Sequence, residues 1–244
     1  MCWNFTASIV LTTIGLIISL YLIKKKDDPY LWIPLIYFSL MEFLQVFTYL
    51  YLNQCDLPIN QLLTYLGYLH IAFQPFFMNM IMLHFIPVKV RNKISGYVYA
   101  ISFVVAILML IKVYPFAWAE SCIAGVNTMC GQNLCSVSGN LHLAWQLPIK
   151  DFGSIFEYAY PFAVFVLPLI YGAWKINLYQ ILLGPVFVVL LTNNPNEFPA
   201  LWCLFSIAIF VLVLVPQIRK RMYVKKWYFW DYPKFMKKGP PKKI

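Results

Sequence analysis

Two pairs of side chains have the types and spacing for proton chemistry in an apolar setting: Glu42 with Gln45, and His70 with Gln74. Residues three or four apart share one helix face, so each pair would present a titratable group and an amide together. A carboxyl group facing an imidazole can give up or take a proton. Glu42 and His70 are therefore the candidate catalytic residues, as acid and base. The same pair would serve as a proton relay or as a ligand site together with Gln45 and Gln74. A structural hydrogen bond tying two helices is the plainer alternative. Burial would disfavour the charged form of Glu42. Pro75 frees the carbonyl of Ile71, which would open polar space beside His70 and Gln74. His84 shares the face of His70, but fourteen residues of helix separate the two by roughly 21 Å. They cannot hold one ion. The chain has only three histidines, which counts against zinc or di-iron centres built from clustered ligands. No metal site is expected, and no cofactor is indicated.

A second polar set lies later in the chain: His142, Trp145, Gln146, Glu157, Asn194, Asn196 and Glu197. These residues could converge on a cation or a polar substrate. The segment 193–197 is also turn chemistry. Asn196 could cap a following helix, and Glu197 would be favoured by that helix's dipole.

The elements that must position these residues follow from composition. Apolar residues make up 61% of the chain and charged residues 11%, with a net charge of +10. An ordinary soluble domain carries about twice that share of charge. Runs long enough to cross a bilayer fall at 5–23, 30–52, 61–86, 96–114, 154–174, 176–191 and 199–217. The fold class expected is thus all-α: a polytopic membrane protein with a bundle of seven transmembrane helices. The bundle would occupy residues 1–218, with a long connection at 116–153 and a tail at 219–244. The fifth and sixth runs meet at Lys175, which implies a tight turn there.

Of the 19 Lys and Arg residues, 17 fall in alternate connections and the tail, leaving Lys112 and Lys150. The positive-inside rule then puts the N-terminus on the exoplasmic side and the C-terminus in the cytoplasm. On this topology Glu42 and His70 sit at similar depth on adjacent antiparallel helices. Cationic clusters placed between apolar runs speak for membrane topology, so no nucleic-acid partner is expected. The start of the chain lacks a basic signal-peptide region. Asn4-Phe5-Thr6 is a glycosylation sequon that abuts the first span.

Cys55, Cys122, Cys130 and Cys135 all fall on the exoplasmic side, where disulfides persist. Four cysteines allow three connectivities, and the sequence leaves the choice open. Cysteines and aromatics argue that 116–153 is an ordered cap over the bundle mouth. The tail mixes lysines with Trp227, Tyr228, Phe229, Trp230 and Tyr232, which suits an anionic cytoplasmic leaflet.

Segments 70–75 (HIAFQP), 138–148 (SGNLHLAWQLP) and 194–203 (NPNEFPALWC) together resemble an uncharacterised family of multi-helix membrane proteins associated with giant DNA viruses and some bacteria. The resemblance covers most of the chain and implies no known activity. Rhodopsins share the seven-span layout, but the seventh run has no lysine for a retinal Schiff base. Three function classes follow. The first is a membrane protein that binds or transports a small molecule, ion or lipid through a midplane polar pocket. The second is an intramembrane enzyme using Glu42 and His70 on a lipid or apolar substrate. The third is a structural or interaction protein of a membrane.

Overall fold

The computed structural model describes residues 4–204, 212 and 215–226. It is mostly helical, and five helices are long and apolar enough to cross a membrane. These are α1 (Phe5–Lys24), α2 (Pro29–Leu50), α3 (Pro58–His84), α4 (Val88–Ile111) and α6 (Trp174–Leu191). A shorter apolar helix, α5 (Ser154–Ile170), precedes α6. Then come α7 (Phe198–Leu204) and α8 (Pro216–Met222). The seventh expected run, 199–217, lies partly outside the described residues.

Local chemistry sets the helix ends. The side chain of Asn4 accepts from Ala7 N at 3.1 Å to start α1. Lys26 adopts a left-handed φ of 55°, and Asp27 N bonds back to Leu22 O at 3.0 Å to close α1. Asp28 caps α2, with Pro29 fixed in its first turn. Between α5 and α6 the turn falls at Gly172, whose φ is 96°. Lys175, where the turn was expected, is already in the first turn of α6. A proline at 168 and another at 185 remove amides that would have closed α turns. Each helix widens to a π turn close by, at Phe162–Val166 and Leu182–Val186. Asn79 of α3 and Asn177 of α6 donate to carbonyls in the first widened stretch, Ala163 O at 2.8 Å and Phe165 O at 2.6 Å.

Successive helices α1 to α4 pack side by side. α3 is central, with 67% of its apolar window buried, against 28% for α4 and for α6. One end of the bundle collects the basic connections. Asp28 pairs there with His84 and Arg91 at 2.8 and 2.6 Å, and Asp27 with Arg219 at 2.7 Å. The guanidinium beside Asp27 holds its carboxyl below the usual range. Burial alone would raise Asp28, but His84 and Arg91 outweigh it and hold it well below.

The opposite end carries the long connection, and here the all-α expectation needs an amendment. Two short antiparallel ladders form: β1 (Glu120–Ser121) with β4 (Lys150–Asp151), and β2 (Cys135–Ser138) with β3 (Leu143–Gln146). Ser136 is bracketed by Asn60, which donates to its carbonyl and accepts from its amide, both at 3.0 Å. The cysteine pairs are Cys55–Cys135 and Cys122–Cys130. The first ties the α2–α3 turn to β2, so the connection is an ordered cap on the helix ends.

Candidate functional site

Within the cap, Glu197 is the hub. It is fully buried. Its Oε1 accepts from Leu141 N at 2.9 Å and His142 N at 3.3 Å, and its Oε2 from the Thr192 hydroxyl at 2.6 Å. The side chain therefore turns back onto the 139–142 hairpin tip and is occupied there. Gly139 is required at this point, because a Cβ would lie 1.8 Å from Glu197 Oε1. Asn196, expected as a helix cap, instead sends its Nδ2 to Cys130 O at 3.0 Å, while its backbone carbonyl accepts from Trp145 N at 3.1 Å. Gln146 stands opposite Cys135 in the ladder and packs over Gly131. The cap thus joins His142, Trp145, Asn196 and Glu197, whereas Glu157 lies elsewhere.

Below the cap a column of polar groups descends along one face of α2. Tyr49 OH meets His142 Nδ1 at 2.6 Å. Burial pushes the His142 imidazole down to about 4 and keeps it neutral. Gln45 and Glu42 follow on the same helix face. Both are buried, and neither carboxyl oxygen of Glu42 nor either amide atom of Gln45 has a hydrogen-bond partner among the described residues. The indole of Trp145 reaches down to α3, where its Cε2 would lie 3.3 Å from a Cβ on Gly67.

The expected contact between Glu42 and His70 is not formed. His70 stacks on Tyr37 with ring centroids 3.7 Å apart, and its Nε2 is buried without a partner. The hydroxyl of Tyr37 bonds to the backbone carbonyl of His70. Tyr37 occupies the position an antiparallel partner of His70 takes, and Glu42 lies more than a helical turn further along α2.

Of the other two expected residues, Glu157 lines a separate cavity and Gln74 bonds to a tyrosine that lines it. Gln74 Oε1 accepts from Tyr160 OH at 2.7 Å, and Tyr160 lines a cavity of about 230 Å³ between α3, α4, α5, α6 and α7. Glu157 lines it too, paired with Lys112 at the C-terminal cap of α4. Asn127 and Thr128 of the cap close the same end, while Met109, Phe165, Val188 and Trp202 supply apolar walls. Both π turns adjoin this cavity through Phe165 and Pro185. Gly184 admits the Trp202 indole, since a Cβ there would lie 2.8 Å from its Nε1. The arrangement offers an apolar chamber with one charged, hydrogen-bonding edge. Among the described residues no group of three His, Cys, Asp or Glu could hold a metal ion.

Sequence reasoning missed Lys112, Tyr160 and Trp202. Lys112 did carry a signal, as one of two basic residues outside the alternating clusters.

No curated protein and no solved structure matches the chain. A family model does match it, over residues 6–223, nearly its full length. The chain therefore belongs to DUF5765, a family of unknown function.

Proposed function

We propose that this chain is a membrane-embedded binding protein, of the kind that holds or carries a small molecule, and that its ligand is mostly apolar with one polar end. The observation that carries this reading is the cavity between α3 and α7, apolar on its walls and edged by the Lys112–Glu157 ion pair and the Tyr160 hydroxyl. Sites for small ligands are typically apolar pockets with a few placed polar groups. In the proposed topology seven spans run from an exoplasmic N-terminus to a cytoplasmic C-terminus. Support comes from the two anchors around the seventh run: Glu197 is fixed at the capped end and Arg219 at the basic end. The aromatic, lysine-rich tail at 227–244 lies outside the described residues; its role at an anionic leaflet belongs to the same proposal. An acid–base enzyme would need Glu42 and His70 to meet, and no observation favours that.

The test is native mass spectrometry of protein released from a mild detergent. A small-molecule adduct is expected on the wild type and is expected to vanish in Val188→Trp, which fills the chamber. Val189→Phe, at a more exposed lining position, is the gentler version should Val188→Trp fail to fold. A wild type without an adduct, or an adduct indifferent to both variants, would leave the chain as a structural membrane protein.

A further inference from the structure

The polar column between α2 and the cap is not used by that reading, and it has its own chemistry. Glu42 is 1% exposed and Gln45 and His142 are fully buried, and all three keep side-chain polar atoms without a hydrogen-bond partner among the described residues. The Trp145 Nε1 is likewise buried and unpartnered. These four residues come from α2 and from the cap, and they occupy one neighbourhood. His70 opposes Tyr37, and Asn60 donates to Tyr51 O at 2.7 Å. Between those two contacts Gly67 falls near the level of Met41 and Glu42. Trp145 lies on Gly67 and shares an apolar cluster with Met41 and Cys203. The cap therefore reaches into the bundle to the depth of Glu42. Tyr49 lies within electrostatic reach of Glu42 below it and of Glu197 above it, and touches His142.

Buried polar atoms that lack a protein partner are usually met by ordered water. A lone carboxylate in such a place is costly unless it is paired or protonated. The groups facing Glu42 supply no countercharge. Ser8 of α1 faces it outside hydrogen-bond geometry, Cys203 of α7 is a buried free thiol, and Tyr49 is on its own helix. His70 of α3 is turned to Tyr37.

We propose that Glu42 is a buried proton-binding site, linked to the capped end by a hydrated chain through Gln45, Tyr49 and His142. Along that chain the carboxyl proton passes by water to the Tyr49 oxygen as the phenol proton passes to His142 Nδ1. The Nε2 proton of His142 then leaves toward the cap. That leaves Glu42 as the carboxylate. The bare Nε2 then takes a solvent proton, and the imidazolium makes a half-turn that brings this proton to Tyr49. The hops then run in reverse, which restores a neutral interior and carries the solvent proton one step nearer Glu42. Access from the cap passes the 139–142 hairpin tip that Glu197 holds.

The test is infrared spectroscopy of the purified full-length protein transferred to D2O, reading the C=O stretch of protonated carboxyl groups. A band is expected that Glu42→Gln removes. Glu42→Asp shifts it and assigns it should Glu42→Gln fail to fold. Tyr49→Phe and His142→Phe are expected to keep the band and slow its deuterium shift at least tenfold. The proposal is overturned if no such band responds to substitution at Glu42. It is equally overturned if deuterium reaches the band as fast in both relay variants as in the wild type. Neither readout depends on the ligand cavity, so failure here leaves the binding proposal standing, and the reverse holds too.

Discussion

Removing the Glu197 carboxyl should loosen the cap, and the size of the loss can be worked from its contacts. Glu197→Ala deletes the acceptor for Leu141 N, His142 N and the Thr192 hydroxyl. A buried donor left without a partner costs about 1–3 kcal/mol. The Leu141 amide is only part-buried, and the 3.3 Å contact to His142 N is long, so the sum falls nearer about 3–5 kcal/mol than the full total. Glu197→Gln keeps one acceptor oxygen, and its amide can donate to Thr192, whose hydroxyl reverses. About 1 kcal/mol is expected for that change.

Gly139→Ala places a Cβ 1.8, 2.4 and 2.5 Å from Oε1, Cδ and Cγ of Glu197, and these are its three nearest obstructions. In the wild-type background the carboxyl must leave its donors, so the cost should match that of Glu197→Ala. In the Glu197→Ala background the obstruction is gone and Gly139→Ala should be close to neutral. A double-mutant cycle on thermal unfolding in one fixed detergent reads this directly, with a coupling of about 2 kcal/mol or more. Additive losses would refute the assignment of Glu197 as the hub. So would a Gln variant as damaged as the Ala variant, because charge rather than acceptor geometry would then be the cause.

The two disulfides should differ in worth. Closing an 80-residue separation at Cys55–Cys135 is worth about 4.5 kcal/mol by chain entropy, against about 2.5 kcal/mol for the 8-residue loop at Cys122–Cys130. Paired Cys→Ser variants, melted under identical conditions, check the order. The His142 imidazole, lowered from 6.5 to about 4 in the folded state, gives stability that is fully present above pH 6.5 and is lost as pH falls toward 4. The loss approaches about 3 kcal/mol and should be missing from His142→Phe in a pH series. Asp27, held below its ordinary 3.8 by Arg219, anchors α8 above that pH and releases it under acid. Asp27→Asn should weaken the anchor by up to about 1 kcal/mol, seen as trypsin cleavage at Arg219–Arg221 up to roughly fivefold faster.

The long helices were legible because an apolar run has one way to satisfy its backbone in lipid; the caps at Asn4 and Asp28 went unread, although each bonds within three residues of itself. The turn at Gly172 was readable from its glycine, yet Lys175 drew attention as the only charge nearby. What the sequence did not reveal was rotation. Glu42 and His70 do lie on adjacent helices, but whether two side chains meet depends on which face each helix presents. Tyr37 took the place opposite His70 because its ring stacks there and its hydroxyl finds a backbone carbonyl. Gln74, one turn from His70, bonds to a tyrosine 86 residues later, a pairing no local pattern encodes. Glu197 was singled out as a residue ahead of a helix, but its hydrogen bonds run to a hairpin more than fifty residues upstream.

The two polar systems meet the same side of α3 about two turns apart, through Trp145 on Gly67 and through Gln74 on Tyr160. Whether they communicate depends on whether α3 has a second position to move to. Pro75 deprives α3 of one internal hydrogen bond and would by itself favour a hinge. The structure closes that hinge. Asn79 Nδ2 donates to Pro75 O and to Ala163 O, both at 2.8 Å, and Asn79 Oδ1 accepts from Tyr171 OH at 2.9 Å. A rigid α3 makes the sites independent: filling the cavity with Val188→Trp should leave the deuterium exchange of the Glu42 band unchanged. Asn79→Ala frees the hinge, and only in that background should the same filling alter the exchange rate. An effect of Val188→Trp in the otherwise wild-type protein would mean that α3 already moves, and that the proton site and the cavity work as one device.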